Sequence, residues 1–272
     1  MGSMEKIIPI GRFLFGIAIA AFGVENLICA RLGLMEDIGF GKIIDVIPWV
    51  PPNAFLTYST GIALLGAGLC VAMTIKTRQG ATLLGIVFIL FLLLLEYRVG
   101  AKALSFRTIA FEMLAICGSA LTLAGSISNP KSNGARRNAL DVLVTAGPYL
   151  FGVSSVVFGI DHFIFLRFVA SLVPAWLPGG LFWASFTGAA FVAAGISILI
   201  KRMDRWAGLM LGTMFLIWFL ILHSPRVVIA FHSHNPNAPN EWSSAFIALG
   251  MCGGSWICAW HAQHGRGGIP SR

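Results

Sequence analysis

Two polar pairs interrupt apolar runs in this chain, Glu25-Asn26 and Asp161-His162. A carboxyl beside an amide or an imidazole can hold a polar ligand or pass a proton. An apolar pocket makes a carboxyl keep its proton more tightly, so that it can serve as a general acid. Glu25, Asp161 and His162 are therefore the candidate catalytic groups. Near them stand Glu96 and Arg98, His223 and Arg226, and Glu112, which lies deeper inside its own apolar run. With Asn26 and the loop residues Trp49 and Trp176, these make up the candidate binding set.

A charge in a bilayer interior costs about 2.5–3.5 kcal/mol on insertion scales, so each of these groups needs a partner, water or a task. One reading gathers them into a polar cavity for binding or catalysis, and a narrower one strings them into a proton relay. Another closes them off in pairs, Glu25 with Arg98 and Asp161 with Arg226 or His223, as charge-neutralising helix contacts. His223, His232 and His234 are weak metal candidates, because imidazole suits zinc or copper but their spacing is not that of a strict ligand set. No metal is expected. Cys29, Cys70, Cys117, Cys252 and Cys258 sit in or beside apolar runs without a CxxC pair, as small packing residues do.

The elements that carry these groups are apolar helices. Hydrophobic residues make up 57% of the chain and charged ones 11%, with a mean hydropathy of +0.83. That is far below the roughly 25% charged content of a soluble domain, and too apolar for one to bury. A spanning helix needs about 20 apolar residues, since a bilayer offers the backbone no water. Eight stretches qualify: 9–30, 54–74, 80–97, 106–125, 142–166, 181–200, 206–223 and 243–260. Trp49, Trp176, Trp206 and Trp242 fall near their ends, where interfacial anchors belong. The fold expected is an all-α integral membrane protein. The first stretch resembles a signal peptide in position, but it has a counterpart later in the chain and is expected to be retained.

Self-comparison divides the chain in two. Gly11-Arg-Phe-Leu-Phe-Gly16 answers Gly147-Pro-Tyr-Leu-Phe-Gly152, and Phe22-Gly-Val-Glu-Asn26 answers Phe158-Gly-Ile-Asp-His162, both 136 positions on. The offset becomes 127 for Trp49-Val-Pro51 and Trp176-Leu-Pro178, Thr60-Gly61 and Thr187-Gly188, and Gly85 and Gly212. It returns to 135 for Ala110-Phe111 and Cys117-Gly118, matched by Ala245-Phe246 and Cys252-Gly253. The expected units are a first four-helix membrane repeat at 9–125, a polar cytoplasmic linker at 126–141 and a second four-helix repeat at 142–260. An even number of spans per unit makes the two parallel, related by an axis along the membrane normal. Glu25 then maps to Asp161 and Glu96 to His223, while Glu112 maps to the apolar Ile247.

With the N-terminus inside, twelve Lys and Arg residues fall on the cytoplasmic side and seven on the other, so both termini are expected in the cytoplasm. Topology and anionic lipid headgroups account for the net charge of +8, and nucleic acid is not an expected partner. No GxSxG, HExxH, Walker or strand–turn–helix GxGxxG motif occurs, which removes the common soluble enzyme classes.

Phe158-Gly-Ile-Asp-His162, Leu172-Val-Pro-Ala-Trp-Leu-Pro178, Phe182-Trp183 and Thr187-Gly188 resemble the DoxX-like membrane proteins, most clearly over 147–225 and more weakly over 11–125. That resemblance implies a four-helix-bundle unit, here doubled, in a bacterial-type inner membrane. It also implies a link to thiosulfate:quinone oxidoreductase subunits and oxidant-defence complexes. The function expected is binding of a small lipophilic molecule, with quinone as the cofactor suggested, in an outward-facing cavity that serves a redox process with a partner protein. Two alternatives stay open: a membrane acid/base enzyme of isomerase or cyclase type acting on a lipid or isoprenoid, and a non-catalytic transporter or assembly factor.

Overall fold

The computed structural model describes residues 7–32, 54–99, 104–127, 139–233 and 238–264, and the regular elements among them are helical. They are α1 (Ile7–Leu32), α2 (Ala54–Ala72), α3 (Thr77–Val99), α4 (Leu104–Ser126), α5 (Ala139–Ile164), α6 (Leu166–Leu172), α7 (Gly180–Leu199), α8 (Asp204–Trp218), a π turn (Phe219–His223), α9 (Ser224–His232) and α10 (Ala238–His264). Six stretches are long and apolar enough to cross a bilayer: Pro9–Ile28, Arg107–Ser126, Leu143–Ile164, Gly180–Leu199, Asp204–His232 and Glu241–Gln263. Thr57–Ala72 and Thr77–Leu93 are shorter apolar helices. The chain is a multi-pass membrane protein, all-helical among its described residues.

Two of the boundaries that differ from those expected bear on the site. The fifth apolar run ends at Ile164, and a separate short helix, α6, follows it. The run expected to stop at 223 continues through the π turn to His232. Pro225 explains the π turn in part, because a proline has no N–H to give to the preceding turn. The Ser224 N–H and hydroxyl both reach back to the Phe219 carbonyl instead. His232 consequently ends a helix rather than sitting in an extended loop, and His234 lies outside the described residues.

Each helix packs on the next in a closed circuit: α1 on α2, α2 on α3, α3 on α4, α4 on α5, α5 on α7, α7 on α8, α8 on α10, and α10 back on α1. α4 and α10 also pack on each other through the middle. Their closeness depends on small residues, as helix contacts inside membranes do. A Cβ on Gly118 of α4 would lie 2.7 Å from the Gly147 carbonyl oxygen and the Phe151 nitrogen of α5. One on Gly253 of α10 would lie 2.4 Å from the Gly11 carbonyl oxygen and 2.5 Å from the Phe15 nitrogen of α1. The core runs along these helices, with Phe15, Ile19, Ile116, Phe151 and Met251 almost wholly buried.

The turns at the basic end share one geometry. Thr74 and Lys76, between α2 and α3, have φ of 62° and 47°. Lys201 and Met203, between α7 and α8, have φ of 55° and 56°. At the opposite end of α7, Gly179 takes φ 81°, a conformation glycine adopts without steric cost.

Candidate functional site

A cavity of about 650 Å³ opens among α4, α5, α6, α7, α8 and α10, at the end of the bundle away from the basic turns. Each helix contributes residues one or two turns apart, so the lining is ordered by depth. Thr108, Asp161, His162, His223 and Ser244 form the outer ring, with Glu112 and Thr187 one turn deeper. Phe158, Phe191, Phe215 and Met251 lie deeper still. Those rings interlock edge to face, Phe158 with Phe191 at 5.9 Å and Phe191 with Phe215 at 5.2 Å between centroids. Trp183 and Trp218 meet at 6.4 Å along the wall, and Phe165, Phe168 and Leu172 close the side formed by α6.

The polar groups have distinct partners. Asp161 is buried and accepts hydrogen bonds from the Arg107 guanidinium and from Thr108 Oγ1, the latter at 3.1 Å. It pairs with Arg107, and not with Arg226 or His223 as the closed-pair reading expected. Arg226 instead makes a two-pronged contact with Glu241 on α10, at 2.7 and 2.6 Å. His162 Nδ1 lies 2.7 Å from the Phe158 carbonyl oxygen. A carbonyl can only accept, so Nδ1 carries the proton and Nε2 of the neutral ring is left as an acceptor. Its ring also leans on Phe191, 5.1 Å between centroids.

Two buried atoms on the lining, His223 Nδ1 and Thr187 Oγ1, have no hydrogen-bond partner among the described residues, and the half-buried Glu112 carboxyl beside them makes no ion pair with a described residue. A buried polar atom without a hydrogen bond is costly, and such atoms mark places where a ligand or water completes the arrangement. The site therefore combines an aromatic body with a polar outer rim, a shape that fits an amphiphile with its head at the rim.

Four of the expected site residues, Glu112, Asp161, His162 and His223, meet at this cavity. Glu25 and Asn26 do not line it. Glu25 is buried at the contact of α1 with α10, where it accepts a hydrogen bond from Ser243 Oγ, and Asn26 is buried beside it with Nδ2 unpartnered among the described residues. Arg226 lies on α9 and Trp176 is 68% exposed, both off the lining. Trp49 and the side chains of Glu96 and Arg98 lie outside the described residues. No group of three or more His, Cys, Asp or Glu side chains converges among the described residues, and exposed His232 is not brought to His223.

The sequence reading missed Arg107, Thr108, Glu241, Trp183 and the side formed by α6. For Thr108 a signal existed, since Thr108 and Ser243 are both hydroxyls at the 135-residue offset. Comparison of the chain with family models, curated proteins and solved structures gives no match.

Proposed function

We propose that this protein binds a small lipophilic molecule in the cavity between α4, α5, α7 and α10, polar head at the rim and apolar body against the deep phenylalanines. The observation that carries this reading is the pairing of an aromatic interior with the unpartnered His223 Nδ1 and Thr187 Oγ1 atoms, and the Glu112 carboxyl beside them, at its polar end. A cavity of about 650 Å³ lies within the roughly 300–1,000 Å³ range of small-molecule sites. The DoxX-like resemblance suggests a quinone and a membrane redox partner, and this is the first ligand class to try.

The frame proposed is a tandem pair of parallel four-helix repeats with eight spans, both termini cytoplasmic in a bacterial-type inner membrane, the cavity opening to the outer side. Several equivalences support the repeat. The close approach of Gly118 to Gly147 and Phe151 recurs, at offsets of 135 and 136, as that of Gly253 to Gly11 and Phe15. The left-handed residues Thr74 and Lys76 recur 127 positions on as Lys201 and Met203. Ser126 and His261, counterparts by the 135 offset, meet at 3.0 Å, as two positions near a twofold axis would.

Membrane acid/base chemistry on a lipid or isoprenoid is a second reading, favoured by the presence of the Glu112 carboxyl and the His162 acceptor on one lining. Mass spectrometry of small molecules released from purified protein separates the two. A quinone supports the redox reading and a sterol or terpenoid the second. Protein with neither, and with no affinity for either when they are added, contradicts both.

A further inference from the structure

The charges around the cavity do not balance. Arg107 on α4 is matched by Asp161 on α5. Arg226 on α9 is matched by Glu241 on α10. α7 brings no ionisable group to the lining, only Trp183, Ala184, Thr187 and Phe191. His162 has its Nδ1 proton committed to the Phe158 carbonyl, so it presents an acceptor. What is left over among the described residues is one carboxyl, Glu112, on a wall otherwise made by Ile109, Ile247 and Met251.

We infer that the cavity selects lipophilic molecules that carry a protonated amine, with Glu112 as the carboxylate that meets the cation. This rests on the reading that the cavity holds a lipophile, and it assigns the head group from the site's own charges. Among the described residues Arg107 and Arg226 are already paired and exposed Arg167 of α6 is not on the lining, so an anionic head would meet Glu112 with no counter-charge supplied by the lining. An ammonium supplies the missing positive charge and donates N–H to a site rich in acceptors: the Glu112 carboxylate, His162 Nε2 and Thr187 Oγ1. The nearby rings of Trp183, Trp218, Phe158, Phe191 and Phe215 add the attraction of an aromatic face for a cation.

A matched pair of probes tests the assignment on the full-length protein in detergent by titration calorimetry: a naphthylmethyl dimethylamine, protonated at neutral pH, and naphthylmethanol, its uncharged analogue. The expected result is at least tenfold tighter binding of the amine by the native protein. Glu112→Gln should bring the amine down to the affinity of the alcohol, and Glu112→Asp should keep part of the preference. Monodisperse elution and native helical circular dichroism of Glu112→Gln report that the variant is folded. If the native protein binds both probes equally, or if Glu112→Gln keeps the full preference, the amine assignment is overturned while the lipophile reading stands. If the native protein binds neither probe, both fall.

Discussion

Ser243 on α10 donates a hydrogen bond to Glu25 on α1, 218 positions earlier in the chain, and closes a buried carboxyl that no cation reaches among the described residues. Asp161 receives the same service from Thr108, which stands 135 positions before Ser243, while Glu25 stands 136 before Asp161. In the proposed tandem frame these are one contact made twice, with Arg107 added on one side only. A hydroxyl bonded to a charged group contributes about 1.5–3 kcal/mol, and its loss leaves the carboxyl undersatisfied. Ser243→Ala is expected to lower stability by about 1–3 kcal/mol in equilibrium unfolding in detergent. A double-mutant cycle with Glu25→Gln should give coupling above about 0.5 kcal/mol. Additive effects would mean that the two side chains do not interact.

Asp161 sits on the cavity lining and Glu25 does not, so the pair identified by sequence symmetry should separate by function. Asp161→Asn is expected to weaken lipophile binding about threefold to tenfold, by loosening Arg107 at the rim. Glu25→Gln should leave binding within about twofold while lowering the unfolding midpoint, since a buried polar contact is lost. Equal loss of binding in both variants would place Glu25 in the ligand site after all.

Arg107 and Arg226 both hold carboxylates, but Asp161 is more deeply buried than Glu241, with side chains 7% and 18% exposed. Removing the partner of a buried charge costs more than breaking a pair that water screens. Arg107→Ala should therefore destabilise more than Arg226→Ala, the second by about 1 kcal/mol or less. The reverse order in thermal unfolding would contradict this ranking.

The all-helical, membrane-spanning character was legible because spanning helices announce themselves by length and apolarity, and the close helix contacts because Gly118 and Gly253 must be small wherever two helices touch backbone to backbone. The site was legible only in part. Asp161, His162, Glu112 and His223 stood out as polar groups in apolar runs, yet nothing local said that Glu25 faces Ser243 while Asp161 faces a cavity. That difference comes from how α6 and the helices around it close, and α6, at Leu166–Leu172, begins where the apolar run expected at 142–166 ends and is not among the expected elements. Arg107 was passed over because its counterpart is Trp242, so the repeat carried no hint of it.

The proposed orientation rests on the basic turns. Single cysteines placed near Arg136 and Arg202 should resist an impermeant thiol reagent in intact cells, and one near Asn237 should react. Labelling of the Arg202 turn would invert the assignment and put the cavity on the cytoplasmic side.

The most direct test fills the cavity. Ile247 and Ala248 line it, whereas Met210 is exposed on the outer face of α8. Ile247→Trp should abolish binding of the naphthyl probes and of any co-purifying lipophile in native mass spectrometry, while Met210→Trp, equally bulky but off the cavity, should retain both. Lipophile carried at the same stoichiometry by native protein, Ile247→Trp and Met210→Trp, with all three monodisperse and helical, would contradict the claim that this cavity is the binding site.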